Sequence, residues 1–233
     1  MPMTNDEIRA ALRASSVLAA LPDDALDEIV RRGRSVAFAK GAAIYQRGDP
    51  GDSLMVLLTG RVKIANVTAD AREVVLNFLG PGDLNGELAA LDGKPRSADA
   101  SALEATEALV IWRRELLPVL ERHPKAMLGV IEALAGKVRT MSAALEHSGL
   151  QMTAKAASAL LRLAELHGRP VAEGTLIDIR LSQRDLGSYA GLSRENMNRQ
   201  LSALRDRGLL RLDGALVVIL DLDGLQACAE AEA

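Results

Sequence analysis

The segment GELAALDGKPRSA, Gly86 to Ala98, gathers a carboxylate (Glu87), a guanidinium (Arg96), a hydroxyl (Ser97) and the turn Asp92-Gly93-Lys94-Pro95. Backbone, hydroxyl and guanidinium donors crowded this closely hold a ligand by charge and hydrogen bonds. No catalytic base accompanies them, so the segment is a cradle rather than a reaction centre. A second group lies far downstream, in LSQRDLGSYAGLSRENMNRQLSALRDRGLL. From Arg180 to Arg211, seven arginines stand against Asp185, Glu195 and Asp206, a local charge of +4 in a chain whose formal net charge is −3. A net-acidic chain has no global attraction for nucleic acid, but a local patch of this kind has the footprint of phosphate contacts.

Other chemistries find little support. Cys228 is the one cysteine, which excludes a disulfide framework within the chain and an iron–sulfur cluster held by its thiolates. It also fits a reducing cytoplasm. His123, His147 and His167 lie far apart without metal-ligand spacing and are expected as solvated helix-end residues, so no metal site is expected. No Ser/His/Asp arrangement or P-loop is present, and the chain is not expected to be an enzyme. It has no apolar run of about 18 residues and no signal-peptide pattern, so a cytoplasmic protein without membrane contact is expected.

The elements that must position both groups follow from periodicity. At 233 residues, 48% of them hydrophobic and only 2% aromatic, the chain can build aliphatic cores for one or two domains. Residues 5–32 have apolar residues at helical spacing, with acidic residues after Pro22 that suit a helix start. From Ser35 to about Arg113, short β-branched or apolar runs alternate with Gly, Pro, Asp and Asn clusters, which predicts an all-β sandwich, barrel or roll. From Pro124, Met127, Val130, Ile131, Leu134, Val138, Met141 and Leu145 recur at spacings of three and four. That predicts an amphipathic helix of about seven turns, whose narrow apolar seam favours a partner helix over the β domain. A second amphipathic helix, TAKAASALLRLAELHG, ends at Gly168. The remainder is expected to be mostly helix, closing with a hairpin at Asp213-Gly214.

KGAAIYQRGDPGDSLMVLLTGRVKI (40–64) followed by GPGDLNGELAALDGKPRSA (80–98) resembles a cyclic-nucleotide-binding β-roll. The C-terminal LSQRDLGSYAGLSRENMNRQLSALRDRGLL resembles the winged helix-turn-helix of the Crp/Fnr transcription-factor family. The order of the two covers nearly the whole chain. The resemblance implies an α+β fold in three parts: N-terminal helices and roll (1–123), a dimerisation helix (124–148) and a winged helix-turn-helix DNA-binding domain (149–233). It implies a bacterial, homodimeric transcription regulator, with a cyclic nucleotide as effector and RNA polymerase as a partner. A variant of the same architecture would use the roll to sense a redox or gas signal, or work without a cyclic nucleotide.

On this resemblance Arg96 pairs with the exocyclic oxygens of the cyclic phosphate, and backbone N–H groups of Gly86, Glu87 and Leu88 add donors. Glu87 accepts from the ribose 2′-hydroxyl, and the Ser97 hydroxyl is placed for phosphate or a guanine amino group. In members that bind cyclic AMP, a threonine and then a serine on the long helix hold the adenine, one from each subunit. An ungapped count from Arg96 through Pro124 puts Met141 and Ser142 there, with Thr140 one residue earlier. A one-residue slip would rotate every later seam residue by about 100°. Ser142 is therefore the expected base contact and Thr140 the lesser candidate, and both cyclic AMP and cyclic GMP stay open. Asn85 also departs from the family pattern, which has an apolar residue before its Gly-Glu.

At the other end, Ser182 is the expected cap of the first helix, with Asp185 three residues on as a capping-box variant. Gly191 makes the turn and Ser193 caps the recognition helix. Arginine suits guanine O6/N7 in the major groove, and a carboxylate accepts from the cytosine amino group. Arg194, Glu195, Asn198 and Arg199, with Ser182, Arg184 and Ser193, are the expected DNA-binding residues. The resemblance implies a palindromic duplex site close to TGTGA-N6-TCACA.

Overall fold

A computed structural model of the chain describes residues 3–15, 18–19, 21–146 and 151–230. It divides into two compact units, Met1–Asn66 with Leu76–Arg139, and Val67–Val75 with Thr140–Ala233. The expectation of a mixed helix and sheet protein, drawn from periodicity and from the family resemblance, holds.

The first unit opens with helices α1 (Asn5–Ala14) and α2 (Asp23–Arg32). Thr4 and Glu7 form a reciprocal capping box at α1, and α2 starts at Pro22 with two aspartates in its first turn and two arginines in its last. Eight strands follow: β1 (Arg34–Phe38), β2 (Ala43–Tyr45), β3 (Ser53–Thr59), β4 (Val62–Val67), β5 (Glu73–Leu79), β6 (Leu84–Asn85), β7 (Asp99–Ala102) and β8 (Thr106–Trp112). A short helix, α3 (Glu87–Asp92), interrupts them between β6 and β7. The strands form two antiparallel-paired sheets, ordered β1-β8-β3-β6 and β2-β7-β4-β5.

Strand β3 is buried on both faces, which explains why its sequence is a continuous apolar run instead of an alternation. Leu54 and Val56 face Leu12, Leu26 and Leu120 of the helices, whereas Met55 joins Ala108, Val110, Phe38 and Tyr45 in the roll interior. Helix α4 (Arg113–Arg122) closes the roll, and α5 (Pro124–Glu146) follows it.

Helix α5 has 23 residues, about six turns, and its apolar seam is two stripes, not one. Ala126 and Val130 are buried, and Leu134 is partly buried, against the helical side of the roll core. Met127, Ile131 and Val138 are exposed. The expectation of a single seam reserved for a partner is thus corrected, because a roll capped by α2 and α4 also needs an apolar cover. The side chains of Met141 and Leu145 lie outside the described residues, as does His147.

Besides residues 67–75 and the last residues of α5, the second unit contains α6 (Met152–His167), β9 (Gly168–Val171), β10 (Gly174–Ile177), α7 (Gln183–Ala190), α8 (Arg194–Asp206), β11 (Leu210–Asp213), β12 (Leu216–Ile219) and α9 (Leu222–Glu230). The expected hairpin at Asp213-Gly214 is β11–β12, but it does not close the chain. It belongs to a four-stranded sheet ordered β11-β12-β10-β9, and α9 follows it, packed on α6 through the buried Leu225 and Cys228. Both missed features break local rules. Strand β9 carries Pro170, tolerated because β9 is an edge strand, and α9 carries Gly224 in its first turn. Among the described residues no helix is long and apolar enough to cross a membrane.

Candidate functional site

The cradle forms around Gly86, which joins β6 to α3 at φ +80°. A Cβ at this position would lie 2.1 Å from Nη1 of Arg96, so glycine is what lets the guanidinium lie against the backbone. Arg96 Nη1 donates to the Gly86 carbonyl at 2.9 Å, and Nη2 donates to Ser53 Oγ at 3.0 Å. The Tyr45 ring lies 4.4 Å from the guanidinium carbon, a cation–π distance. The Arg96 main chain is pinned by Arg96 N–H to Asp49 O and by Gly48 N–H to Arg96 O, each 2.9 Å. The residue is 5% exposed, and its Nε–H has no acceptor.

Glu87, 8% exposed, does not pair with Arg96. Its carboxylate accepts from Lys137 Nζ of α5 at 2.6 Å. A plain surface ion pair between Glu87 and Arg96, the uneventful alternative for these residues, does not form. The Tyr45 hydroxyl donates to Asn85 Oδ1, and Asn85 is itself buried. Burial pushes that hydroxyl up to about 12, with the Arg96 charge opposing and the Glu87 charge assisting.

Gly86, Glu87 and Arg96 are therefore brought together, and Leu88 is exposed on the first turn of α3. Ser97 is exposed, and Ser142 is exposed on α5. The side chain of Thr140 lies outside the described residues, as do His147, Ser148, Gly149 and Leu150. Sequence reasoning missed Ser53, Tyr45 and Lys137. Asn85 was visible as a polar residue in an apolar position, but its partner forty residues away was not.

In the second unit Ser182 Oγ accepts from Asp185 N–H at 3.1 Å and donates to the Asp185 carboxylate. Gly191 ends α7 at φ +69°, and Ser193 caps α8 by accepting from Asn196 N–H at 3.2 Å. Leu186, Tyr189 and Ala190 of α7 and Met197, Leu201 and Leu204 of α8 are buried, so α8 presents its opposite face outward. Arg184, Arg194, Glu195, Asn198 and Arg199 are all exposed. Gln183 Nε2 donates to Asn198 Oδ1 at 3.0 Å, a bridge between the two helices that sequence spacing did not suggest. The positive patch is smaller than its residue count. Arg205 pairs with Asp206, and Arg211 pairs with Glu173 at 2.9 Å and with Asp213 at 3.6 Å. Arg211, the last arginine of that patch, is partly neutralised by carboxylates that the sheet brings to it.

Residues 35–123 match the cyclic nucleotide-binding domain, and residues 154–228 match the Crp-like helix-turn-helix domain. The cyclic AMP receptor protein of Thermus thermophilus is 32% identical over 193 residues, 82% of this chain and 86% of that protein. A CRP-like cAMP-activated global transcriptional regulator of Mycobacterium tuberculosis is 28% identical over 221 residues, 94% of this chain and 97% of its own. The structure of FixK2 from Bradyrhizobium japonicum superposes with a TM-score of 0.76 at 24% identity, covering 86% of this chain and 99% of that one, and speaks for the fold. A roll with an arginine seated behind a Gly-Glu turn, and an outward-facing helix capped by Ser193, thus occur in the order and extent of these relatives, and the chain belongs to the Crp/Fnr family of DNA-binding transcription regulators, not to the enzymes.

Proposed function

We propose that this regulator is switched by a cyclic nucleotide, cyclic AMP or cyclic GMP, seated in the cradle from Gly86 to Ser97, and that it acts on DNA as a homodimer in the cytoplasm. The observation that carries the reading is the Arg96 guanidinium, buried with a carbonyl, a hydroxyl and an aromatic ring as partners and no carboxylate. A buried cation without counter-charge is unfavourable. A cyclic phosphodiester supplies one negative charge and oxygens that only accept, which suits an arginine fork. The N–H groups of Glu87 and Leu88 at the start of α3 add donors.

Glu87 accepts from the ribose 2′-hydroxyl. Because the same carboxylate holds Lys137 of α5, ligand and long helix meet at one group. Binding then biases the position of α5 only as far as the ligand prefers one arrangement over the other. Ser142 is the purine contact, with Thr140 and Ser97 as lesser ones. The exposed stripe Met127, Ile131 and Val138 supports a second copy of α5 as its cover, so that segment 124–148 joins two sensor segments (1–123) and two DNA-binding segments (149–233).

On DNA, Arg194, Glu195 and Arg199 read a palindrome close to TGTGA-N6-TCACA, and Ser182, Arg184 and Ser193 hold the backbone. RNA polymerase is the further partner. Calorimetric titration with cyclic AMP and cyclic GMP in parallel tests the reading. Arg96→Ala should lose at least about 2–5 kcal/mol of binding. Selection from a random DNA pool, with and without nucleotide, completes the test. Wild-type protein that binds neither nucleotide, or enriched sites that ignore it, would end the proposal.

A further inference from the structure

We infer that Asn85 is a ligand-binding residue of the roll: its side-chain amide donates to the oxyanion that Arg96 seats, and Tyr45 is the residue that orients it. The inference rests on the proposed cyclic-nucleotide reading and extends it to a residue that neither the family resemblance nor the sequence motif assigned.

Placement comes from strand register. Asn85 pairs with Met55 across β6 and β3, so it shares the face on which Met55 meets Tyr45 in the roll interior. Its neighbour Leu84 takes the opposite face, in the core under the helices. Asn85 is 2% exposed, a primary amide among aliphatic side chains. Its Oδ1 accepts from the Tyr45 hydroxyl, which leaves Nδ2 as the end of the amide facing elsewhere. That Nδ2 is buried and has no acceptor.

The Arg96 guanidinium is in the same condition. Arg96 is linked to Asn85 twice, through the carbonyl of the adjoining Gly86 and through the Tyr45 ring, and its Nε–H is also buried without an acceptor. Two unpaired donors thus flank one tyrosine, beside a guanidinium with no carboxylate partner. Unpaired buried donors destabilise a fold, whereas an acceptor-only ligand converts both into favourable bonds. The set carries one positive charge, and its acceptors Asn85 Oδ1, Gly86 O and Ser53 Oγ are already engaged, which matches a monoanionic phosphodiester better than a dianionic phosphomonoester. Both atoms are covered by protein, so an incoming oxyanion reaches them through a rotation of the Arg96 or Tyr45 side chain. The Tyr45 hydroxyl keeps its proton through the neutral range, so it stays a donor to Oδ1 throughout.

The distinguishing test is a pair of effects with different signs. In the double variant Tyr45→Phe/Asn85→Leu, both members of the hydrogen bond and the unpaired amide go together, while the aromatic platform for Arg96 stays. Thermal unfolding without nucleotide should occur at or a few degrees above the wild-type temperature, because removing both partners of a polar pair is close to neutral. Calorimetry should show affinity for both cyclic AMP and cyclic GMP falling about ten-fold or more. Tyr45→Phe alone, which keeps Asn85 but frees its orientation, should fall between. Wild-type affinity in the double variant overturns the inference, and so do affinity and unfolding temperature that fall together, since that is a packing role. If wild-type protein binds neither nucleotide, the reading of the roll fails and this inference with it. That result is distinct from one in which wild type binds, Arg96→Ala does not, and the double variant binds normally.

Discussion

Gly86→Ala is the most informative single substitution, because the structure sets its two costs separately. The residue sits at φ +80°, where a side chain costs about 1–2 kcal/mol in backbone strain. Its new Cβ would also lie 2.1 Å from Arg96 Nη1 and 3.0 Å from Cζ, so the guanidinium must retreat by more than an ångström to reach ordinary contact. Retreat breaks at least one of its two hydrogen bonds, to Gly86 O or Ser53 Oγ, each charge-assisted and worth about 1.5–3 kcal/mol. Destabilisation on the order of 3 kcal/mol is expected, with nucleotide affinity down at least about 100-fold, since an ångström of misplacement is enough for that at a preorganised site. Gly93→Ala is the control. It has φ +72°, so the strain is alike, but its Cβ would meet nothing closer than 3.7 Å, at Arg113. It should lose about 1–2 kcal/mol of stability and no affinity. Thermal unfolding and calorimetric titration of both variants read the two quantities. If Gly86→Ala binds like wild type, or Gly93→Ala loses affinity equally, the seat of Arg96 is not what the glycine protects.

Three further outcomes are expected. Glu87→Ala should weaken cyclic nucleotide binding, and its deficit should vanish with a 2′-deoxy ligand; a deficit that persists in calorimetry would remove Glu87 from the ribose. Arg194→Ala should lose about 1–3 kcal/mol per half-site and relax preference at a single guanine, whereas Arg184→Ala should weaken all sequences alike and reduce the salt slope by about 1, both read by binding titrations across salt concentration. Tyr45, raised to about 12, holds its proton more tightly in the folded state than in the unfolded chain, whose pKa is near 10. Ionising it therefore costs the fold nothing below pH 10 and destabilises it as pH rises toward 12, by about 2–3 kcal/mol in all. Tyr45→Phe should flatten that part of the alkaline unfolding curve.

Local chemistry in the sequence determined much of this protein. Helix starts at Ser182 and Ser193 are legible because each serine side chain caps an N–H group three residues on, and the start after Pro22 because two aspartates occupy its first turn. The Gly86-Glu87 and Arg96 cradle is legible because a tight turn and a short helix keep its parts within one segment. What the sequence left undecided are partners distant along the chain. Asn85 stood out as an oddity, yet only the packing of β2 against the end of β6 gives it the hydroxyl of Tyr45. Nothing in the α5 pattern marks Lys137 as the partner of Glu87 across fifty residues, and nothing in the arginine count shows Glu173 beside Arg211. The seam of α5 divided into two stripes for the same reason. Periodicity tells which residues are apolar on a helix, but whether Val130 covers its own roll while Ile131 stays exposed depends on where α2 and α4 have already been placed. Capping and turn chemistry are short-range and can be read residue by residue, whereas burial and charge pairing depend on which distant segments the folded chain brings together.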